Sequence, residues 1–372
     1  MKLKLQLKTL IKQTLLFIPV VYIPNLLAED RLSYKGGFNL IHQHSSEQQL
    51  ETDTSLSADL AVFYKSENDG VWHLHIEASS TPNQNGVAAI LQDSNADSGS
   101  SLNDRDHGRV QISELNYTHS LTENTQLSAG LVDATGYLDT AEIMNDENHH
   151  FISSSLVNNA VIDFPDYVIG AALQHQINDQ LSTRLFISST HGIADNNSRN
   201  YSSLFEVNDD EKGLFTAIEM SYKTETHYLN TGGWLHSGQH QALNNPNQTD
   251  LSNYGLYLGA GLKKQKHQYE MRFGLANPEV SAACQFLSLA YLYSTNSWDL
   301  GLGYSTTRLS EELQGDYPKK NETAELFLHK HLNKHWFITP SVQWFNDPLY
   351  ESDSIELDSP ILTYNIRLSF EF

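Results

Sequence analysis

The chain has 372 residues, 39% of them hydrophobic, and a mean hydropathy of -0.43, so a helical membrane protein cannot be built from most of it. Its 23 basic and 45 acidic side chains give a formal net charge of -22, which argues against a protein that grips a nucleic-acid backbone through counterion release. A single cysteine, Cys284, leaves no disulfide framework and no cysteine metal site.

The N-terminus reads MKLKLQLKTLIKQTLLFIPVVYIPNLLAED, with Lys2, Lys4, Lys8 and Lys12 ahead of an apolar core from about Thr14 to Leu27. This is the pattern of a secretory signal peptide over residues 1–28, removed after Ala28. Its short length, Pro19 and Pro24 argue against a retained anchor. Its removal takes away four lysines and no acids, leaving a more acidic mature chain.

Residues 29–372 then repeat one pattern, about ten alternating residues followed by a gap. In Ser297–Ser305, Trp298, Leu300, Leu302 and Tyr304 fall on one face and Asp299, Gly301, Gly303 and Ser305 on the other. Period-2 alternation marks a strand with one apolar and one polar face. The same test predicts sixteen strands, at about 32–43, 54–64, 71–79, 110–120, 125–133, 167–177, 181–190, 213–223, 226–237, 253–263, 268–276, 284–294, 297–306, 323–332, 335–345 and 362–372. Short and long connections alternate between them, as in an all-β, antiparallel up-and-down transmembrane β-barrel with tight periplasmic turns and long extracellular loops. Strands of about ten residues suit a tilted crossing of the hydrocarbon, whereas sandwich strands are nearer five or six. Tyr64, Trp72, Tyr117, Tyr222, Tyr228, Trp234, Tyr254, Tyr293, Trp298, Tyr304, Trp336 and Trp344 sit near strand ends, where interfacial aromatic girdles are expected. Phe370 and Phe372 close the chain like the recognition signal that barrel-assembly machinery reads in bacterial outer-membrane barrels.

Sixteen strands enclose a lumen too wide for side chains to fill, so a loop must narrow it if it is to select. Two long gaps, 80–109 and 134–166, are the candidates for folding inward. The first is poor in aromatics and reads partly as a solvated surface loop. The second carries apolar anchors, including Tyr137 and Phe151, and is the expected constriction. It has no lysine or arginine but holds Asp139, Glu142, Asp146, Glu147 and Asp163, beside Asp133 and Asn145. Carboxylates and amides repel anions and accept hydrogen bonds from sugar hydroxyls. Period-2 counting places Arg184, Arg272 and Arg367, with Glu114, Glu219, Glu270 and Glu325, on the lumen side of the wall. These charges are expected either to contact a solute or to pair and stiffen the wall. His149 and His150 are adjacent, not at metal-site spacing, and the isolated His191-Gly192 makes no hydrolase site. No metal, cofactor or catalytic centre is expected.

Two segments carry a family resemblance. LSAGLVDATGYLDTAEIMNDENHHFISSSLVNN, followed by FPDYVIGAALQHQI, resembles the carbohydrate-selective porins of the OprB type through Gly130, Asp133, Asn145, Asp146, Glu147, Phe151, Asn158, Asn159 and Pro165. AELFLHKHLNKHWFITPSVQWFNDP resembles that family's penultimate hairpin through Glu325, Thr339-Pro340, Gln343 and Asn346-Asp347-Pro348. The likeness covers about residues 108–190 and 323–372 and is weaker elsewhere. It implies a sixteen-stranded outer-membrane pore passing mono- and oligosaccharides passively, with small neutral saccharides, outer-membrane lipid and lipopolysaccharide as partners. Porins of this size are often homotrimers, with a monomer as the alternative. The competing expectations are a general or cation-preferring porin without sugar selectivity, and a plugged structural, adhesive or enzymatic barrel.

Overall fold

The computed structural model describes residues 31–372 apart from 69, 100, 103–104, 194–200, 206, 208–211, 316 and 351–356. The expected signal peptide lies outside the described residues. The strands are β1 (Leu32–Ser45), β2 (Asp53–Lys65), β3 (Val71–Ser79), β4 (Val110–Thr122), β5 (Thr125–Val132), β6 (Val168–Gln176), β7 (Leu181–Ser189), β8 (Leu214–Lys223), β9 (His227–His240), β10 (Leu251–Lys264), β11 (His267–Ala276), β12 (Ala283–Ser294), β13 (Trp298–Leu309), β14 (Lys320–His331), β15 (Trp336–Asn346) and β16 (Ile361–Glu371). All sixteen predicted strands are present, with ends displaced by three residues at most.

Each strand pairs with its sequence neighbours, and β1 closes on β16 from Gly37 opposite Glu371 to Ser45 opposite Thr363. Closure leaves the sheet without an open edge, which is what a β-structure needs where no water can satisfy backbone groups. The pleat then sorts the side chains. On β16, Thr363, Asn365, Arg367 and Ser369 are buried on the lumen side, while Tyr364 and Ile366 are exposed on the outside. The register carries this parity round the barrel, so that Leu185, Ile187, Ile218, Met220, Leu235 and Leu256 form part of an exposed apolar outer band. No helix among the described residues is long and apolar enough to cross a membrane.

Aromatic pairs decorate the outer face near the short turns, with ring centroids 4.9 Å apart for Trp72–Tyr117, 5.5 Å for Tyr293–Trp298 and 5.0 Å for Trp336–Phe370. Two residues assigned to the girdles point the other way. Tyr228 and Trp234 share the face of Asn230 and His236, opposite the inward positions Lys223 and Ala217. Trp234 stacks on Phe215 at 6.0 Å inside the barrel. Parity along β9, not residue type, decides the side.

The apolar core of this barrel lies within it, between the β5–β6 loop and the wall. Leu138, Val161 and Ile162 of the loop join Phe186, Phe215, Trp234 and Phe286. Farther round, Ile143, Met144, Phe151 and Leu156 pack on Ala290, Leu292 and Phe327. The β3–β4 loop, a candidate for folding inward that also reads partly as a solvated surface loop, enters the lumen too. Its short apolar run, Val87–Leu91, is enough to bury it: Val87 and Leu91 are fully covered, and Leu91 packs on Phe345 and Ile361. The two loops are joined by Ala96 N–H donating to the Ile152 carbonyl at 2.7 Å and by Ser155 N–H donating to Asp93 at 2.6 Å.

Candidate functional site

A long polar-backbone loop inside a barrel needs partners for amides and carbonyls that water no longer reaches. The wall supplies them from the charged residues that parity places inside. Glu270 on β11 accepts the N–H groups of Glu142, Ile143 and Met144 at 2.6, 2.9 and 3.0 Å. Glu325 on β14 accepts those of Ile152 and Ser153 at 3.1 and 2.9 Å. Glu219 on β8 accepts the N–H of Asp139 at 2.9 Å and the Tyr257 hydroxyl at 2.9 Å.

The cations take the carbonyls. Arg272 Nη2 donates to the carbonyls of Met144, Leu156 and Val157 at 2.8, 3.1 and 2.8 Å, and Nη1 faces Asp139 at 3.4 Å. Arg367 donates to the carbonyls of Glu147 and His150. Arg272, Arg367 and Glu325 are each 1% exposed, so these side chains hold the loop and a solute in the lumen does not reach them. The wall is also bare where the loop presses closest. A Cβ added at Gly274 would lie 2.3 Å from Val161, and one at Gly303 would lie 2.6 Å from Leu156 and 2.8 Å from Phe151.

The loop is braced internally as well. Asn145 accepts from Ala141 N–H at 2.6 Å and donates to the Val157 carbonyl at 3.2 Å. Tyr137 packs on Phe186, and Phe151 meets Phe327 edge to face. His149 bridges Asp146 at 2.9 Å and Glu371 of β16 at 2.8 Å. Those two hydrogen bonds, that to Asp146 first, push the His149 ring up to about 10. Burial works against the Asp146 carboxylate, but the bond and charge of His149 outweigh it and bring it to about 2.

What the loops leave open is a cavity of about 860 Å³ along β1–β4 and the end of β16. Its lining runs from Lys35 and Phe63, near the short turns, to Glu77 and Tyr167, near the long loops. Asp59, Glu77, Asp97, Glu114, Asp133, Glu147, Asp166 and Glu371 line it, against Lys35 and the imidazoles of His73, His75 and His149. Asn39, Asn145, Asn148 and Asn158 add amides. Burial, the largest influence on each, lifts Asp97 to about 6 and Glu147 to about 8. A second cavity of about 930 Å³ faces the short turns of β6–β9 and holds Arg184, Glu219 and Lys223. Thr140 of the loop borders both cavities.

No protein-family model matches the sequence, and no curated protein matches it. Solved structures match by fold. Pseudomonas putida OprB, in its high-pH structure, superposes with a TM-score of 0.67 at 10% identity, over 92% of this chain and 94% of that one. OmpT, an outer membrane protein of Vibrio cholerae folded in vitro and seen in its trimer form, gives 0.57 at 10% identity over 92% and 99%. A mutant of the Rh. blastica porin gives 0.55 at 11% identity over 92% and 100%.

The fold is that of the porins. The likeness to OprB expected from the sequence holds in the arrangement of the barrel. In this porin fold the predicted site residues divide into groups. Glu114, Asp133, Asn145 and Glu147 line the acidic cavity. Arg184 lies in the second cavity, and Glu142 is exposed near it, 3.0 Å from Lys223. Glu270, Arg272, Glu325 and Arg367 are beneath the loop, Asp139 is buried in the loop itself against Arg272 and Glu219, and Tyr137 and Phe151 anchor it. Asp93, Asp97 and Gly274 were not singled out from the sequence, and Gly303 was read only as part of the polar face of its strand. Gly274 had a legible signal, since it interrupts an otherwise large or polar inward row; the aspartates had none, because nothing local says which residues of the 80–109 loop meet the wall or the other loop.

Proposed function

We propose that the protein is a passive outer-membrane diffusion channel for small hydrophilic solutes, neutral saccharides among them, which favours cations and holds back anions. The acid-rich cavity beside the clamped loop carries this reading. A lumen lined by carboxylates raises the local concentration of cations and excludes anions. Its amides and carboxylates also suit sugar hydroxyls, which both donate and accept, and Phe63 stacked on His73 at 4.6 Å offers a flat face to a pyranose ring. Solute contacts in this proposal fall to Glu114, Asp133, Asn145 and Glu147, with Glu142 and Arg184 at the second cavity, and the buried arginines serve the loop. The general cation-preferring channel is the second reading, favoured by the same acidic lining.

The test is conductance in a planar bilayer. The Asp97 and Glu147 carboxyls are raised to about 6 and about 8, so both are largely neutral at pH 5 and ionised by pH 9. Reversal potentials in a salt gradient are expected to show cation preference that grows between pH 5 and 9, most steeply between 6 and 8. A potential near zero throughout would remove the cation preference. Liposome swelling with sugars and amino acids of equal mass separates the two readings, equal permeation leaving the general channel.

Export and insertion belong to the same proposal, with the leader cleaved and Phe370 and Phe372 read by the assembly machinery. Phe370 stacks on Phe38 at 5.7 Å, and the Phe372 amide donates to the Gly36 carbonyl at 3.0 Å, so the last residues also seal the β1–β16 seam. Phe372→Ala is expected to lower the yield of assembled barrel in cell envelopes, followed by the heat-modifiable mobility of the folded form on gels. Unchanged yield would remove the signal from this residue.

A further inference from the structure

Asp163, near the end of the β5–β6 loop, meets His236 and His240 at the long-loop end of β9. One ligating atom from each of the three lies within 4.8 Å of the others. His240 Nε2 is 3.0 Å from an Asp163 carboxylate oxygen, which also accepts from Asn253 Nδ2 at 3.0 Å. The other ring nitrogen of His240, Nδ1, donates to the Gly238 carbonyl at 2.8 Å. The two imidazoles meet edge to face with centroids 4.6 Å apart. His236 is only 9% exposed, and its Nδ1 has no hydrogen-bond partner among the described residues. None of the three lines the acidic cavity or holds loop backbone.

We propose that Asp163, His236 and His240 bind a divalent transition-metal ion of the zinc kind. Two imidazoles and one carboxylate, with water completing the shell, form a nitrogen-rich donor set that suits zinc, nickel or cobalt and is poor for calcium or magnesium, which prefer oxygen alone. The outer contacts are those of a ligand set. A backbone carbonyl holding Nδ1–H of His240 fixes the tautomer that presents Nε2, and Asn253, itself 3.0 Å from Ser281 Oγ, orients the carboxylate. The ion takes the place of the proton shared by His240 and Asp163 and ties the loop's return arm to β9. The other cluster of suitable composition, Asp59, His75 and Glu77, is less free to bind, because the Glu77 carboxylate already accepts from Ser113 and Tyr167. The proposal stands on side-chain geometry and does not depend on conduction.

The full chain, refolded in detergent without an affinity tag, is titrated with cobalt(II) and followed by its visible ligand-field bands, then competed with zinc(II). One cobalt per chain, displaced by zinc, is expected. His240→Ala and the isosteric Asp163→Asn are expected to weaken binding by at least about tenfold, and Asp59→Asn is expected to leave it unchanged. Heat-modifiable mobility establishes that each variant is folded. Absence of binding by the folded wild-type chain overturns the proposal. So does binding that survives both Asp163→Asn and His240→Ala, or that is lost in Asp59→Asn.

Discussion

Replacing Arg272 by methionine is expected to destabilise the folded barrel by about 3–5 kcal/mol, the usual cost of removing one member of a buried ion pair, and to raise single-channel conductance. The guanidinium is 1% exposed and serves Asp139 and three loop carbonyls at once. Methionine fills much of the same volume but donates nothing, so those oxygens are left in a site water does not reach. Burial already lifts Asp139 to about 6 against the opposing pull of Arg272, and without the arginine it rises further. Arg272→Met with Asp139→Asn is therefore expected to recover part of the lost stability while leaving the loop loosely held. Denaturant unfolding reads the first effect and bilayer recording the second. A single variant with wild-type stability and wild-type conductance would show that the clamp does not hold the loop.

Glu270→Ala tests the opposite polarity. Three consecutive amides lose their acceptor, and the residues carrying two of them, Ile143 and Met144, are fully buried. A buried donor without a partner costs about 1–3 kcal/mol, so the pair sets an expected loss of about 2–6 kcal/mol. The amide of the exposed Glu142 recovers water and adds little. Glu270→Gln keeps one acceptor oxygen but turns an NH2 toward amide donors, and is expected to fall between wild type and alanine. Hydrogen exchange gives the local readout. Amides 142–144 are expected to be protected in the native protein and to exchange rapidly in the alanine variant, with amides of β13 unchanged. Equal protection in both would locate the restraint elsewhere.

Much of the barrel is legible in the sequence because parity along a strand is a local property. Once Asp299, Gly301 and Gly303 are seen to share a face, the side of every residue in β13 follows, and the register extends this to Arg367 and Glu325. Tyr228 and Trp234 show the error of reading residue type before parity. The role of the inward charges was less accessible. Whether a buried glutamate meets a solute or a backbone amide depends on where residues more than a hundred positions away come to rest, as Glu142 does on Glu270. The constriction loop announces itself by apolar anchors without basic residues, which suits a segment whose cations come from the wall. The β3–β4 loop is marked as a candidate for folding inward by its length, but its contacts are hidden, because only Val87–Leu91 is apolar and most of them are polar.

The long sequence span of the clamps sets an order of events in folding. Loop residues 139–153 are made early in the chain, yet their partners Glu270, Glu325 and Arg367 lie on β11, β14 and β16. The seat for the loop is therefore finished only when the last strand has been laid against the first. Contacts between such distant segments carry a high closure cost and form late. The clamped loop is thus the final part of the molecule to take shape, and a chain halted before β16 docks lacks the Arg367 contacts that hold residues 147–150.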